Sequence, residues 1–261
     1  MARLIKKIKI EKLLTLITIT IIILAWYIVT ELDLFSEIII PSPKSVGKSF
    51  LDILKNGYKG YSLLTHLGNS LGRLLYAYGL VVVTAIPLGL LSGYNTKIRA
   101  VIEPIVEFYR PLPPLAYYTI LVLWLGIGDS SKIALLYLAG FAPIYISCLA
   151  GVTRIKEDYI NGALTLGANR AQIFVHVVFP AALPDIFTGL RTALGVEYTT
   201  LVAAEMVAAV SGIGWLVLDA SKYLRSDIIF MGVTIMGVTG ILLDKLIRIL
   251  EARIVHWKGK N

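Results

Sequence analysis

Apolar stretches close to the ~20 residues that an α-helix needs to cross a bilayer recur along this sequence, and they constrain the fold more than any other feature. Helices are expected at about 13–30, 70–92, 99–125, 132–151, 186–210 and 228–249. Of the 261 residues, 57% are hydrophobic and 16% charged, against roughly 25% charged in an average soluble protein. A soluble fold of this size has no way to hide so much apolar surface. The expected fold class is an all-α membrane protein with about six transmembrane helices. The chain divides into a tail at 1–12, a first transmembrane helix and outside loop with an interfacial segment at 13–65, a transmembrane domain at 66–250, and a second tail at 251–261.

The basic start, Arg3, Lys6, Lys7, Lys9 and Lys12 before the run Leu13 to Ile28, has the layout of a secretory signal. Its apolar run is long and ends at Trp26-Tyr27-Ile28-Val29-Thr30-Glu31 with no small-residue cleavage site, so it reads as a retained signal anchor. Basic residues counted by loop set the orientation. One side holds Arg3, Lys6, Lys7, Lys9, Lys12, Lys97, Arg99, Arg154, Lys156, Arg170, Lys245, Arg248, Arg253, Lys258 and Lys260, which is fifteen. The other holds Lys44, Lys48, Lys55, Lys59, Lys132, Lys222 and Arg225, which is seven. Both termini and the segment at about 153–183 are therefore expected on the cytoplasmic side. Tyr27, Tyr94, Trp124 and Trp257 fall near span ends, where amphipathic rings prefer the headgroup zone.

The net charge of +8 is spread between spans rather than gathered in one patch, which argues against a nucleic-acid partner. Cys148 is the sole cysteine and lies in an apolar run, where it reads as a small buried hydrophobe. His66, His176 and His256 fit no metal spacing and read as packing or interfacial residues. Val46-Gly47-Lys48-Ser49-Phe50 carries the end of a phosphate-binding loop, but Ser42 stands where that motif needs glycine. No enzyme constellation and no cofactor site is expected in this chain. Any ATP must be hydrolysed elsewhere.

Three places carry the candidate function. Tyr109-Arg110-Pro111-Leu112-Pro113-Pro114-Leu115 cannot continue an unbroken helix, because each proline lacks a donor and restricts its predecessor. Broken backbone at membrane depth survives only against protein or a water-filled cavity, so Arg110, Pro111 and Pro113 are candidate pathway residues; a short loop joining two half-spans is the alternative. In the fifth span Glu197 and Glu205 are spaced to share one side of the helix, with Tyr198, Thr199 and Thr200 nearby and Arg191 pointing elsewhere. Ionisable groups at that depth face a cavity or a partner. Glu197, Tyr198, Thr200 and Glu205 therefore either border a passage or form structural hydrogen bonds.

The third place is the stretch from Asp158 to Pro180. Asp158 is placed to cap a short helix, Gly167 to end it in the left-handed conformation, and Asn169 with Gln172 to form a capping box opening a second helix. Ile160, Ala163, Leu164 and Gly167 share a small, apolar face. One helical turn of this kind is too short to stand alone in water, so it needs either its own bundle or a partner protein.

This stretch resembles the cytoplasmic EAA loop of permease subunits of ATP-binding-cassette importers. At the positions of that pattern, Glu-Ala-Ala, three residues, Gly, nine residues, an aliphatic residue, any residue and Leu-Pro, this sequence reads Asn161-Gly162-Ala163, Gly167, Val177 and Phe179-Pro180, with the spacing kept. Asn161, Gly162 and Phe179 depart from it. The likeness covers nearly the whole chain and narrows to the nitrate, sulfonate and taurine branch. It is carried by Pro41-Ser42-Pro43, the stretch from His66 to Arg73, Ile86-Pro87-Leu88-Gly89, Arg110 to Leu115, Leu125 to Ile133, Thr188 to Arg191 and Leu201 to Met206. Tyr117-Tyr118 and the Trp257-Lys258-Gly259 end are nearest to the taurine type. The resemblance implies a type I importer permease working with a second copy of itself, two cytoplasmic ATPase subunits that hold ATP and Mg, and a periplasmic or lipoprotein solute-binding protein. It assigns Tyr159, Ile160, Asn161, Gly162, Ala163, Leu164, Gly167 and Ala168 to contact with the ATPase. Nitrate, bicarbonate or another small anion is the alternative cargo. A self-sufficient secondary transporter would show paired broken helices in inverted repeats, of which the sequence has one break and no second half. A membrane scaffold would leave the intramembrane charges unexplained.

Overall fold

A computed structural model describes residues 2–257, with side chains at residue 10 and from residue 13 onward. The charges at Lys258 and Lys260 and the Lys258-Gly259 part of the C-terminal likeness lie outside the described residues, as do the side chains of Arg3, Lys6, Lys7, Lys9 and Lys12. The chain runs through α1 (Ala2–Glu31), α2 (Pro43–Asn56), α3 (Leu63–Tyr94), α4 (Thr96–Tyr109), α5 (Pro114–Leu125), α6 (Asp129–Thr153), α7 (Glu157–Thr165), α8 (Arg170–Ile173), α9 (Phe179–Ala208), α10 (Ile213–Lys222) and α11 (Ser226–Ile254). A π-turn at Phe174–Val178 joins α8 to α9, just ahead of Pro180, which has no N–H to donate.

Among the described residues, five helical runs are long and apolar enough to cross a membrane: Leu13–Glu31, Leu63–Tyr94, Asp129–Thr153, Arg170–Ala208 and Ser226–Ile254. The expected span at 99–125 is instead two helices, α4 of 14 residues and α5 of 12. At 1.5 Å per residue each covers about 20 Å, short of the ~30 Å hydrocarbon core. The break has the cause the sequence named. Arg110 closes α4, Pro113 caps α5 and Pro114 occupies its first turn. Single prolines inside α3 (Pro87), α6 (Pro143) and α9 (Pro184) leave those helices continuous. It takes three prolines within four residues to stop the run.

Two compact units are present. The first comprises the residues up to 64 with 216–235, and the second comprises 65–215 with 236 onward. In the second, α6 is the most buried span. A Cβ on Gly89 of α3 would stand 2.7 Å from Cys148 Cβ, and one on Gly189 of α9 would stand 2.7 Å from Ser147 Cβ. Both neighbours thus approach α6 as closely as only small residues allow, which is how helices associate where lipid removes any hydrophobic drive. Cys148 is fully buried in that contact and is a packing residue.

In the first unit, α1 exposes apolar side chains all along Leu13–Glu31. Near its end Trp26 donates from Nε1 to the Pro41 carbonyl at 3.0 Å and packs on Phe230 with ring centroids 6.0 Å apart. The loop after α2 is tied to α10 by the Tyr58 hydroxyl, which donates to Asp219 at 3.0 Å. Burial and that carboxylate both push the Tyr58 phenol up from its usual pKa, so the hydroxyl stays a donor.

Candidate functional site

The proline break opens onto a cavity of about 530 Å³. Arg110, Pro111 and Tyr117 from the break, Ala139 and Pro143 of α6, and Val196 of α9 are among the residues around it. Its walls are mostly apolar, with Arg110, Ser147 and Thr192 as polar points. Pro113, which caps α5, is not in the wall.

The two acids of α9 are both fully buried and have opposite surroundings. Glu205 accepts from Ser70 Oγ at 2.8 and 2.9 Å, from Arg73 Nη1 at 2.8 Å and from the Gly214 amide at 2.9 Å. Arg73 continues to Asp129 at 2.7 Å and to the Ser211 carbonyl at 2.9 Å. The Gly212 amide donates to His66 Nδ1 at 3.1 Å, and His66 stacks on Trp215. The turn between α9 and α10 is thereby fastened to α3. A Cβ on Gly212, at φ 129°, would meet the Glu205 carboxylate at 2.4 Å, so this position admits only glycine.

Glu197 lies against Gly140 of α6, where a Cβ would fall 1.8 Å from Oε1. Neither of its oxygens has a hydrogen-bond partner among the described residues. It is absent from the cavity wall, although Val196 beside it is present. In this conformation, then, Glu197 neither borders the cavity nor makes the structural hydrogen bonds that were the alternative. Thr200 is buried, and Tyr198 donates to the Met236 carbonyl at 3.0 Å and pairs with Thr239. Arg191 does point elsewhere, to Asp244 at 3.0 Å.

Arg73 and Asp129 were missed as site residues. A signal existed, because each sits in one of the family-like stretches, as Glu205 does, and one cation with two acids at span ends calls for pairing.

The helix corner forms by local rules. α7 is capped at Lys156, two residues earlier than expected, so Asp158 is not the cap. Glu157 and Asp158 instead fill the first turn, where negative charge suits the helix dipole. At the other end the Ala168 amide bonds the Ala163 carbonyl at 3.0 Å and the Gly167 amide bonds the Leu164 carbonyl at 2.9 Å, a Schellman motif with Gly167 at φ 84°. Asn169 and Gln172 make the reciprocal capping box at 2.8 and 2.9 Å.

The expected small-residue face divides. Ile160, Ala163 and Ala168 turn inward onto the core that also holds Ala142 and Tyr145 of α6. Tyr159, Asn161, Gly162, Leu164 and Leu166 remain exposed, Leu166 at 90%. The outward surface is therefore led by Leu166, at the C-cap, which the i, i+3, i+4 pattern had left out.

Comparison with known proteins fixes the class. Residues 85–256, which include the break, both acids and the corner, match the family described as binding-protein-dependent transport system inner membrane component. The chain belongs to this family of multi-pass inner-membrane permeases of ATP-binding-cassette transporters, in its nitrate, sulfonate and taurine branch. Among individual relatives it is 41% identical to the taurine transport system permease protein TauC of Escherichia coli (strain K12), over 93% of this chain and 89% of that protein. It is 31% identical to the nitrate import permease protein NrtB of Synechocystis sp. (strain ATCC 27184 / PCC 6803 / Kazusa), over 85% of this chain and 82% of that one. Family membership brings with it an ATPase and a solute-binding protein as working partners.

Proposed function

We propose that this permease carries a small sulfonate, taurine first among them, inward across the inner membrane with ATP and Mg held by a separate ATPase subunit. The observation that carries the substrate is the 41% identity to a taurine permease over nearly the full length of both chains. The basic-residue count supports cytoplasmic termini and a cytoplasmic α7–α8 corner. Two copies of the chain would place two such corners against two ATPases. Closure of the ATPases would press on Tyr159, Asn161, Gly162, Leu164 and Leu166, and Ile160, Ala163 and Ala168 would pass that push into the core shared with α6. Because α6 also walls the cavity, a rigid shift there changes access to the solute.

The test is uptake of labelled taurine by proteoliposomes holding the assembled transporter, with the binding protein and ATP added. Uptake that needs all three supports the reading, and uptake from an ion gradient alone defeats it. Nitrate is the second reading, favoured by the 31% identity to a nitrate permease. It wins if nitrate and not taurine raises ATPase activity through the binding protein. For the corner, cysteines at Leu164 and Leu166 should cross-link to the ATPase, and Gly167→Val should weaken coupling, since a β-branched residue resists φ 84°.

A further inference from the structure

α2 carries three distinct faces. At 3.6 residues per turn, Val46, Ser49 and Ile53 cluster on one side and are buried. Phe50 and Leu54 follow next around the helix, then Leu51, and all three are exposed at 38%, 44% and 55%. Beyond them Lys44, Lys48 and Lys55 fall within about 40° of one another, all exposed. Among the described residues, none of the three lysine side chains takes part in a hydrogen bond or ion pair. Lys48 belongs to the Gly47-Lys48-Ser49 sequence, whose serine is occupied structurally: Ser49 bonds Asp227.

The height of α2 is fixed by the helices it is joined to. Ser49 holds Asp227 in the first turn of α11, and Ser226 bonds the Ile38 carbonyl. Pro41, two residues before α2, takes the hydrogen bond from Trp26 in the last turns of α1. α2 therefore lies level with the ends of two membrane spans. The loop leading to it exposes Leu32, Leu34, Phe35, Ile38 and Ile39, every one more than half exposed. A protein that docks and leaves would abandon that apolar surface to water each time it left; lipid covers it permanently. An apolar flank merging into a row of unpaired lysines at that height has the layout of a helix lying in the headgroup plane.

We infer that α2 is an interfacial helix whose Lys44, Lys48 and Lys55 bind the phosphate headgroups of anionic phospholipid. On the orientation proposed above this is the outer leaflet, but the lipid contact itself does not depend on that reading.

The test places a bimane fluorophore on Leu51→Cys in the assembled transporter, in nanodiscs containing brominated phosphatidylglycerol or brominated phosphatidylcholine. Cys148 is buried, so the fluorophore is expected at position 51 alone on this chain. Each basic group at an anionic surface is worth about a factor of five, so half-quenching is expected at a phosphatidylglycerol fraction roughly tenfold or more below that for phosphatidylcholine. Lys44→Gln/Lys48→Gln/Lys55→Gln should make the two lipids equal, and the matching triple Arg variant should keep the preference. High salt on the otherwise unsubstituted protein should abolish it, which serves if the Gln variant fails to assemble. Equal quenching by both lipids in the unsubstituted protein overturns the inference. So does the absence of quenching by either lipid, or quenching relieved by adding the solute-binding protein, since both would show the face covered by protein.

Discussion

Glu197 and Glu205 are the same residue type, eight positions apart on one helix and equally buried, yet one carboxylate is held by hydrogen bonds and the other, among the described residues, is not. Around Glu205 the carboxylate is held by a hydroxyl, a guanidinium and a backbone amide. Around Glu197 the missing side chain of Gly140 makes room, and no hydrogen-bond partner is present among the described residues. Burial alone therefore says nothing about the role of an acid inside a membrane. A satisfied acid fixes the turn from α9 to α10 onto α3. An unsatisfied one lies where α9 packs on Gly140 of α6, next to Val196 in the cavity wall.

Removing the hydrogen-bonded carboxylate should have the largest effect. Glu205→Ala leaves Arg73 buried with one partner fewer, and removing one member of a buried pair typically costs about 3–5 kcal/mol. We expect the variant to lose assembly or to unfold well below the unsubstituted protein in a thermal-shift assay. Arg73→Met should be comparably severe. Combining Arg73→Met with Glu205→Ala should cost less than the sum of the two, because both charges leave together. Strict additivity would mean that the 2.8 Å contact carries no coupling.

The next effect tests the close approach between Glu197 and Gly140. Gly140→Ala puts a methyl group into the Glu197 carboxylate and should destabilise by about 1–3 kcal/mol, the usual range for overpacking. Adding Glu197→Ala should return most of that loss, read as recovered melting temperature. If the double variant is no better than Gly140→Ala alone, the two residues do not touch in the working protein.

How much of this was legible in the sequence depended on sequence separation. The Gly167 turn and the Asn169–Gln172 box depend on groups within six residues, and both formed where the residue types placed them. The break at Arg110–Pro114 was equally local, although its effect on length, two short helices in place of one span, needed the structure. Arg73 meets Glu205 across 132 residues and Asp129 across 56, and no local pattern encodes such a meeting. The face of α7 is ambiguous in the sequence for a related reason. Small apolar residues suit a partner's groove and the protein's own core equally well, so periodicity could not say which way Ile160 and Ala163 turn.

The smallest effect, Glu197→Gln, asks whether the unfastened acid does anything beyond filling space. The amide matches the carboxyl in size, so the contact with Gly140 is kept and stability should move by less than about 1 kcal/mol, as for substitutions that leave packing intact. If the position behind Val196 is kept throughout the cycle, the carboxyl never reaches solute. Taurine and an amine-free sulfonate of similar size should then be transported at the same ratio by variant and unsubstituted protein. A shift of α9 along α6 would change this, because a turn of that helix brings position 197 toward the wall that Val196 and Thr192 now form. An anionic carboxylate there would pair with the ammonium group of taurine and repel the sulfonate of either solute. Uptake of both solutes in parallel, by proteoliposomes carrying either protein, separates the cases. An unchanged ratio keeps Glu197 as packing, and a selective loss of taurine would place it in the pathway in a state other than this one.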